Sequence, residues 1–161
     1  MFHLHPETDE DRYEVEYLYD LAFAPGREAL SSYRLREGVA PVADLCLAAR
    51  DDYQVLAGAI RYWPIAIGDT DCLLLGPVAV HPTYQGEGLG GLLIRDSLDR
   101  ARALGWARVL LVGDLPYYQR FGFERSEGLQ FPPPVNPERL LCAGLEKGAW
   151  AGVSGAVRAA K

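Results

Sequence analysis

The stretch Val78-Ala79-Val80-His81-Pro82-Thr83-Tyr84-Gln85-Gly86-Glu87-Gly88-Leu89-Gly90-Gly91 decides how this 161-residue chain is read. An apolar run of strand type stops at Val80, a polar loop follows, and four glycines fall within residues 86–91 before an amphipathic segment begins. A helix start leaves its first N–H groups without partners and carries the positive end of the macrodipole. Glycines let the chain turn tightly and bring those donors close to an anion. A plain cap needs one glycine at most, and each extra one costs about 0.8–1 kcal/mol in a helix interior. The surplus therefore reads as a diphosphate site. The same residues satisfy GxGxxG through Gly86, Gly88 and Gly91, the dinucleotide fingerprint. In that motif the glycines leave the first strand of the fold almost directly. Here residues 81–85 intervene and all the elements of residues 2–80 come first, so a nicotinamide-dependent oxidoreductase is the weaker alternative.

Downstream, Leu89, Leu92, Leu93, Leu98, Ala101 and Leu104 form the apolar face of a helix over residues 88–104. Arg95/Asp99 and Asp96/Arg100 are charge pairs on its wet side, and Gly105 ends it. A strand over 108–112 follows, so strand, helix and strand make a right-handed βαβ unit with parallel strands. Upstream, strands over 45–49, 54–63 and 72–80, with turns at Asp51-Asp52 and Gly68-Asp69, predict an antiparallel meander. A first strand is expected over 2–5 and a helix starting at Thr8-Asp9-Glu10-Asp11, with Tyr13, Val15, Tyr17, Leu18, Leu21 and Ala22 as its apolar stripe. A second short helix is expected over 26–37 and another over 116–120, closed by Gly122. Pro132-Pro133-Pro134 reads as an extended loop, and residues 140–145 and 153–158 as the last strands. No repeat or linker interrupts this pattern, which predicts a single α/β domain over residues 1–161, with one mixed sheet flanked by helices.

Composition narrows the function. Net charge is −6, which argues against a nucleic-acid partner. No apolar run is long enough to span a membrane, and the first residues do not read as a secretory signal. Cys46, Cys72 and Cys142 lie apart, each in an apolar run, and read as core thiols of a cytoplasmic protein. His3 and His5 alternate on one strand face without a third ligand nearby, so no metal site is expected.

The run Leu75-Gly76-Pro77-Val78-Ala79-Val80-His81-Pro82-Thr83-Tyr84-Gln85-Gly86-Glu87-Gly88-Leu89-Gly90 resembles the acetyl-CoA motif of the GNAT N-acetyltransferases. Tyr117-Tyr118-Gln119-Arg120-Phe121-Gly122-Phe123 resembles that family's second signature, and the chain looks similar to a subgroup of predicted bacterial acetyltransferases. The resemblance implies a mixed central sheet splayed between strands 4 and 5, with acetyl-CoA as cosubstrate and no metal. The pantetheine arm would lie along the main chain of Val78, Ala79 and Val80, and the diphosphate on the turn Gln85, Gly86, Glu87, Gly88, Leu89, Gly90 and Gly91, with Tyr117, Tyr118 and Phe121 alongside. Gly76 and Pro77 supply a reason for the opening, since proline lacks a ladder donor and glycine permits a bulge. Glu87 departs from the Arg or Lys that relatives often carry there, a change that sets a negative charge beside the phosphates.

The implied reaction is direct transfer of an acetyl group from the thioester to an amine, which must be neutral to attack. Tyr118 aligns with the family's general acid toward the leaving thiolate, and the Val80 N–H with its oxyanion donor. Tyr117 reads as packing. The general base is not readable: Glu28, Glu37 and His81 are candidates, but each reads better as an ordinary surface or turn residue. The acceptor would be a small-molecule or peptide amine, and a homodimer is compatible with the pattern. A non-catalytic acyl-CoA-binding module on the same fold is the second alternative.

Overall fold

The computed structural model describes residues 1–23 and 31–160. Strands β1 (His3–Pro6), β2 (Leu47–Arg50), β3 (Leu56–Ile67) and β4 (Thr70–Val80) pair antiparallel in succession, and β5 (Arg108–Val112) joins β4 in parallel. Three short or late strands complete the sheet with β9: β6 (Glu124–Arg125), β7 (Leu129–Gln130) and β8 (Leu140–Gly144). β8 runs antiparallel beside β5 and β6 beside β8. β9 (Gly155–Ala159) pairs with the far end of β3 and with β7. The predicted meander and βαβ unit are both present. The strand expected over 45–49 begins later, because residues 43–45 form a 3-10 turn that buries Leu45. β6 and β7 have only two residues each, too few for alternation to reveal them.

Helix α1 (Arg12–Ala22) covers one face of the sheet and α3 (Leu89–Ala103) the other. The α1 core stripe differs from expectation. Val15, Leu18 and Tyr19 are buried, whereas Tyr13, Tyr17 and Leu21 point to solvent. Two stripes of helical spacing exist in this segment, and the sheet residues Ala48, Leu56, Ala59 and Ala79 select the first. On α3 the buried stripe is Leu89, Leu93, Ile94, Ser97, Leu98 and Ala101. Leu92 falls on the outer face, and Leu104 is the C-cap at the exposed end. Of the helix expected over 26–37, α2 (Ser31–Arg34) is seen, and the part over 26–30 lies outside the described residues. Residues 115–118 form α4 (Leu115–Tyr118), continued by a 3-10 turn that Gly122 closes at φ +92°.

Two polar anchors hold α1 and its entry loop to the sheet. Arg61 on β3 clamps Glu7 through two bonds of 3.0 and 2.8 Å and reaches Glu16 at 2.9 Å. Arg61 and Glu7 are both about nine-tenths buried. Removing the cation leaves a carboxylate in a poorly solvated place, so Arg61→Met is expected to cost roughly 3 kcal/mol. Adding Glu7→Gln recovers part of that loss in chemical denaturation. The second anchor is Asp11, which accepts from the Thr8 amide and hydroxyl and from Arg50 at 2.8–2.9 Å, and contacts His5. Burial pushes its pKa up, but these donors outweigh burial and hold it well below the ordinary value. A depressed folded pKa contributes stability above the unfolded value of about 3.9 and loses it as pH falls further. The stability gap between the wild type and Asp11→Asn is therefore largest near neutrality. It narrows below about pH 5, as urea midpoints across that range will read.

Candidate active site

The β4–β5 ladder holds only at Leu73–Val109 and Leu74–Leu110. Beyond it β4 carries an extra residue, in register between Leu75 opposite Tyr62 and Val78 opposite Ile60. Gly76 sits in that bulge at φ +119°, a conformation open to glycine. The strands then part, so the expected splay between strands 4 and 5 is observed. Its consequence follows from pairing parity. The His81 N–H donates to the Ala57 carbonyl at 2.8 Å, which makes 57/81 a hydrogen-bonded pair. Ala59–Ala79 is then the next such pair, while Gly58–Val80 and Ile60–Val78 are the non-bonded ones. The main-chain donors and acceptors of Val78 and Val80 thus point away from β3, toward the side β5 has left. The Ala79 side chain is buried on the α1 face, so only its main chain borders this region.

The opening is a cleft of about 330 Å³ lined by Leu75, Pro77, Val78, Leu111, Tyr117 and Tyr118 among others. Tyr118 packs edge-on against Tyr117 at 5.0 Å and Phe123 at 5.9 Å. Its ring also lies against Gly113, where a Cβ would come within 2.5 Å of Cε2. Burial, then the neighbouring Tyr117 and Asp114, push its pKa up to about 12. The phenol is therefore protonated at neutral pH and can donate.

Tyr117 also lines a second cavity of about 360 Å³ together with Val80, Gln85, Gly86, Gly88, Leu89, Gly90, Gly91 and Phe121. The sequence assigned Tyr117 to packing. Its ring does pack on Phe121 at 5.4 Å, yet its hydroxyl stands 3.1 Å from where a Gly90 Cβ would be. Gly86 and Gly88 adopt φ +87° and +79°, which turn the loop into the helix. The Leu92 N–H is the first to find a helical acceptor, the Gly88 carbonyl at 3.1 Å. The amides of residues 86–91 donate to no main-chain carbonyl of the described residues, and the Gln85 amide makes a long 3.4 Å bond to Pro82. Glu87 is exposed and is not among the residues lining this cavity. Tyr84 hydrogen-bonds Asp51 and packs against Phe2 at 5.4 Å, which ties this loop to the β2–β3 turn.

A third and larger chamber, about 540 Å³, meets the cleft at Tyr33, Arg36 and Pro77. Glu7, Asp9, Glu16, Glu37, Arg12, Arg61 and Trp63 help to line it. Sequence reading missed this chamber except for Glu37, because its walls come from α1, α2 and β3, which are distant in the chain. His81 is a turn residue whose Nδ1 accepts from the Thr83 amide at 3.2 Å, and Glu28 lies outside the described residues. His3 pairs with Asp52 and His5 with Asp11. No group of three His, Cys, Asp or Glu suited to a metal occurs among the described residues. Cys46, Cys72 and Cys142 are buried, and burial raises all three thiol pKa values, that of Cys142 to about 11. Among the described residues no helix is long and apolar enough to cross a membrane.

A sheet edge left open beside an amide-rich helix start can take an extended acyl carrier as an added strand, and enzymes built on that principle are the acyl-CoA N-acyltransferases. The chain belongs to the acetyltransferase (GNAT) family, whose model matches residues 7–123. It is 31% identical over 147 residues to the uncharacterized N-acetyltransferase YjhQ of Escherichia coli K12, covering 88% of this chain and 81% of that one. Among solved structures, it is similar to the GNAT family N-acetyltransferase YhbS of E. coli in complex with CoA. The TM-score is 0.85 at 28% identity, over 98% of this chain and 89% of that one. A GNAT family acetyltransferase of Brucella melitensis in complex with acetyl-CoA gives a TM-score of 0.75 at 29% identity, over 98% and 95%. The protein is thus an acetyl-CoA-dependent N-acyltransferase, and the dinucleotide reading of the glycines is set aside. They follow the fourth strand, at the end of an antiparallel meander, whereas the dinucleotide fingerprint opens a parallel sheet.

Proposed function

We propose that this chain, acting as one catalytic domain in the cytoplasm, transfers an acetyl group from acetyl-CoA to a primary amine by direct attack in a ternary complex. The observation that carries the proposal is the adjacency of the three cavities. The glycine-turn cavity shares Tyr117 as a wall with the cleft, and the cleft shares Tyr33, Arg36 and Pro77 with the chamber. In this reading the diphosphate sits on the amides of residues 85–91 and the pantetheine pairs with Val78 and Val80. The thioester lies beside Tyr118, and the amine of a small molecule or peptide enters from the chamber. The nitrogen lone pair attacks the thioester carbon, and the Val80 N–H stabilises the oxyanion. The C–S bond then breaks, and the Tyr118 hydroxyl donates to the departing thiolate. The amine sheds its proton to water or to a chamber carboxylate. For an ordinary alkylamine, neutralisation at pH 7 costs roughly 4–5 kcal/mol. The carboxylates Glu7, Glu16 and Glu37 bordering the chamber favour a polar acceptor over an apolar one.

Thiol release from acetyl-CoA across a panel of amines tests the proposal. Turnover with at least one polar amine is expected. Tight coenzyme A binding without turnover on any acceptor would make the chain a binding module instead.

A further inference from the structure

We infer that Arg95 and Arg120 form a second phosphate subsite beside the glycine turn, one that reads the phosphate on the ribose of coenzyme A; the inference rests on the coenzyme reading above. Both arginines line the cavity that holds Gly86, Gly88, Gly90 and Gly91. Each guanidinium carbon lies over an aromatic ring, 4.9 Å from its centroid, Arg95 on Phe121 and Arg120 on Tyr117. Such cation–π contacts restrict where each guanidinium can reach.

Their partners are as informative as their position. The helical pair expected between Arg95 and Asp99 does not form, and Asp99 instead bonds Arg102 at 3.1 Å. Arg95 leans the other way, so that its Nη1 stands 3.2 Å from where a Gly91 Cβ would be. A cation at its own helix N-terminus opposes the macrodipole, and Asp99 was available in the opposite direction. An anion in the cavity removes that conflict. Arg120 spends one N–H on the Tyr117 carbonyl at 3.0 Å. Neither arginine meets a carboxylate among the described residues.

Charge and placement separate this subsite from the diphosphate. The unpaired amides of residues 86–91 supply donors for the diphosphate without net charge. The two guanidinium groups stand on the exposed wall and add two full positive charges. A phosphomonoester carries about −1.5 to −2 at neutral pH, which matches that pair. Glu87, exposed within the turn, adds a negative charge and makes the arginines more necessary for a ligand with two phosphorylated groups.

The test is calorimetric titration of the full chain with coenzyme A and with dephospho-coenzyme A. The wild type is expected to bind coenzyme A at least roughly tenfold more tightly, the effect of one charge-assisted hydrogen bond. The gap should shrink as salt is raised. In the Arg95→Gln/Arg120→Gln double variant, checked for an unchanged melting temperature, the two ligands are expected to bind within about twofold of each other. Affinity for dephospho-coenzyme A should be nearly unaltered. A wild type that does not distinguish the two ligands would overturn the inference. So would a double variant that weakens both equally, which would place the arginines on the diphosphate. Failure of the wild type to bind either ligand would remove the coenzyme reading itself.

Discussion

Under the proposed mechanism Tyr118→Phe is expected to lower kcat by about 10²–10⁴-fold, the usual worth of general-acid assistance, while KM for acetyl-CoA stays within about twofold. The phenylalanine keeps the ring contacts with Tyr117, Phe121 and Phe123 that hold this side chain in place, so only the hydroxyl is removed. In the proposed mechanism that hydroxyl acts after the coenzyme is bound, as sulfur leaves, and a transition-state interaction appears in kcat rather than in ground-state binding. The pH profile provides a second readout. Burial and the neighbouring Tyr117 raise the phenol to about 12. A raised pKa keeps the donating form populated, so any alkaline loss due to Tyr118 should set in near that value rather than near the ordinary tyrosine value of about 10. Steady-state rates with a good acceptor, measured with varied acetyl-CoA, check both points. An unchanged kcat would reassign Tyr118 to packing.

Gly113→Ala is expected to lower kcat by about tenfold to a hundredfold by displacing the same ring. A Cβ at Gly113 would stand 2.5 Å from Cε2 and 3.0 Å from Cδ2 of Tyr118, and 3.0 Å from Leu111 Cδ1. The atoms struck belong to a rigid ring wedged among three other aromatics, not to the free end of a flexible chain. Relief therefore requires Tyr118 to swing outward. A displacement near 1 Å is enough to lose most of a positioned group's benefit. The effect operates through the hydroxyl, so the two substitutions should not add: in the Tyr118→Phe background, Gly113→Ala changes kcat little. Full additivity would mean that Gly113 matters for some other reason, such as its main-chain bond to the Arg139 carbonyl at 2.8 Å.

Much of the site lay open to sequence reading because it is local. The glycine turn, the strand before it and the helix after it occupy one continuous segment, and the tyrosines follow β5 directly. The chamber shows the opposite case. Glu7, Arg61 and Arg36 are brought together from a loop, a strand in mid-sheet and the region after α2. No spacing along the chain announces that Arg61 clamps Glu7 or that Arg36 stacks over Tyr33 at 4.2 Å. Arg95 is an intermediate case. Its four-residue distance from Asp99 predicted an ion pair, but the same spacing separates it from Gly91, and the absence of a side chain there gave the guanidinium room to turn back.

The sequence alone determined the antiparallel meander, the parallel βαβ unit and the glycine-rich turn over residues 85–91 at the start of α3. Those features depend on periodicity, on the missing Cβ of glycine and on donors that a helix start cannot satisfy. Tertiary structure alone decided which of two helical stripes on α1 became core and which residues line the chamber beside Tyr33, Arg36 and Pro77. On α1 the local pattern allows two stripes, and only the sheet packed against it favours one of them; the chamber walls come from segments distant in the chain, which no local pattern brings together.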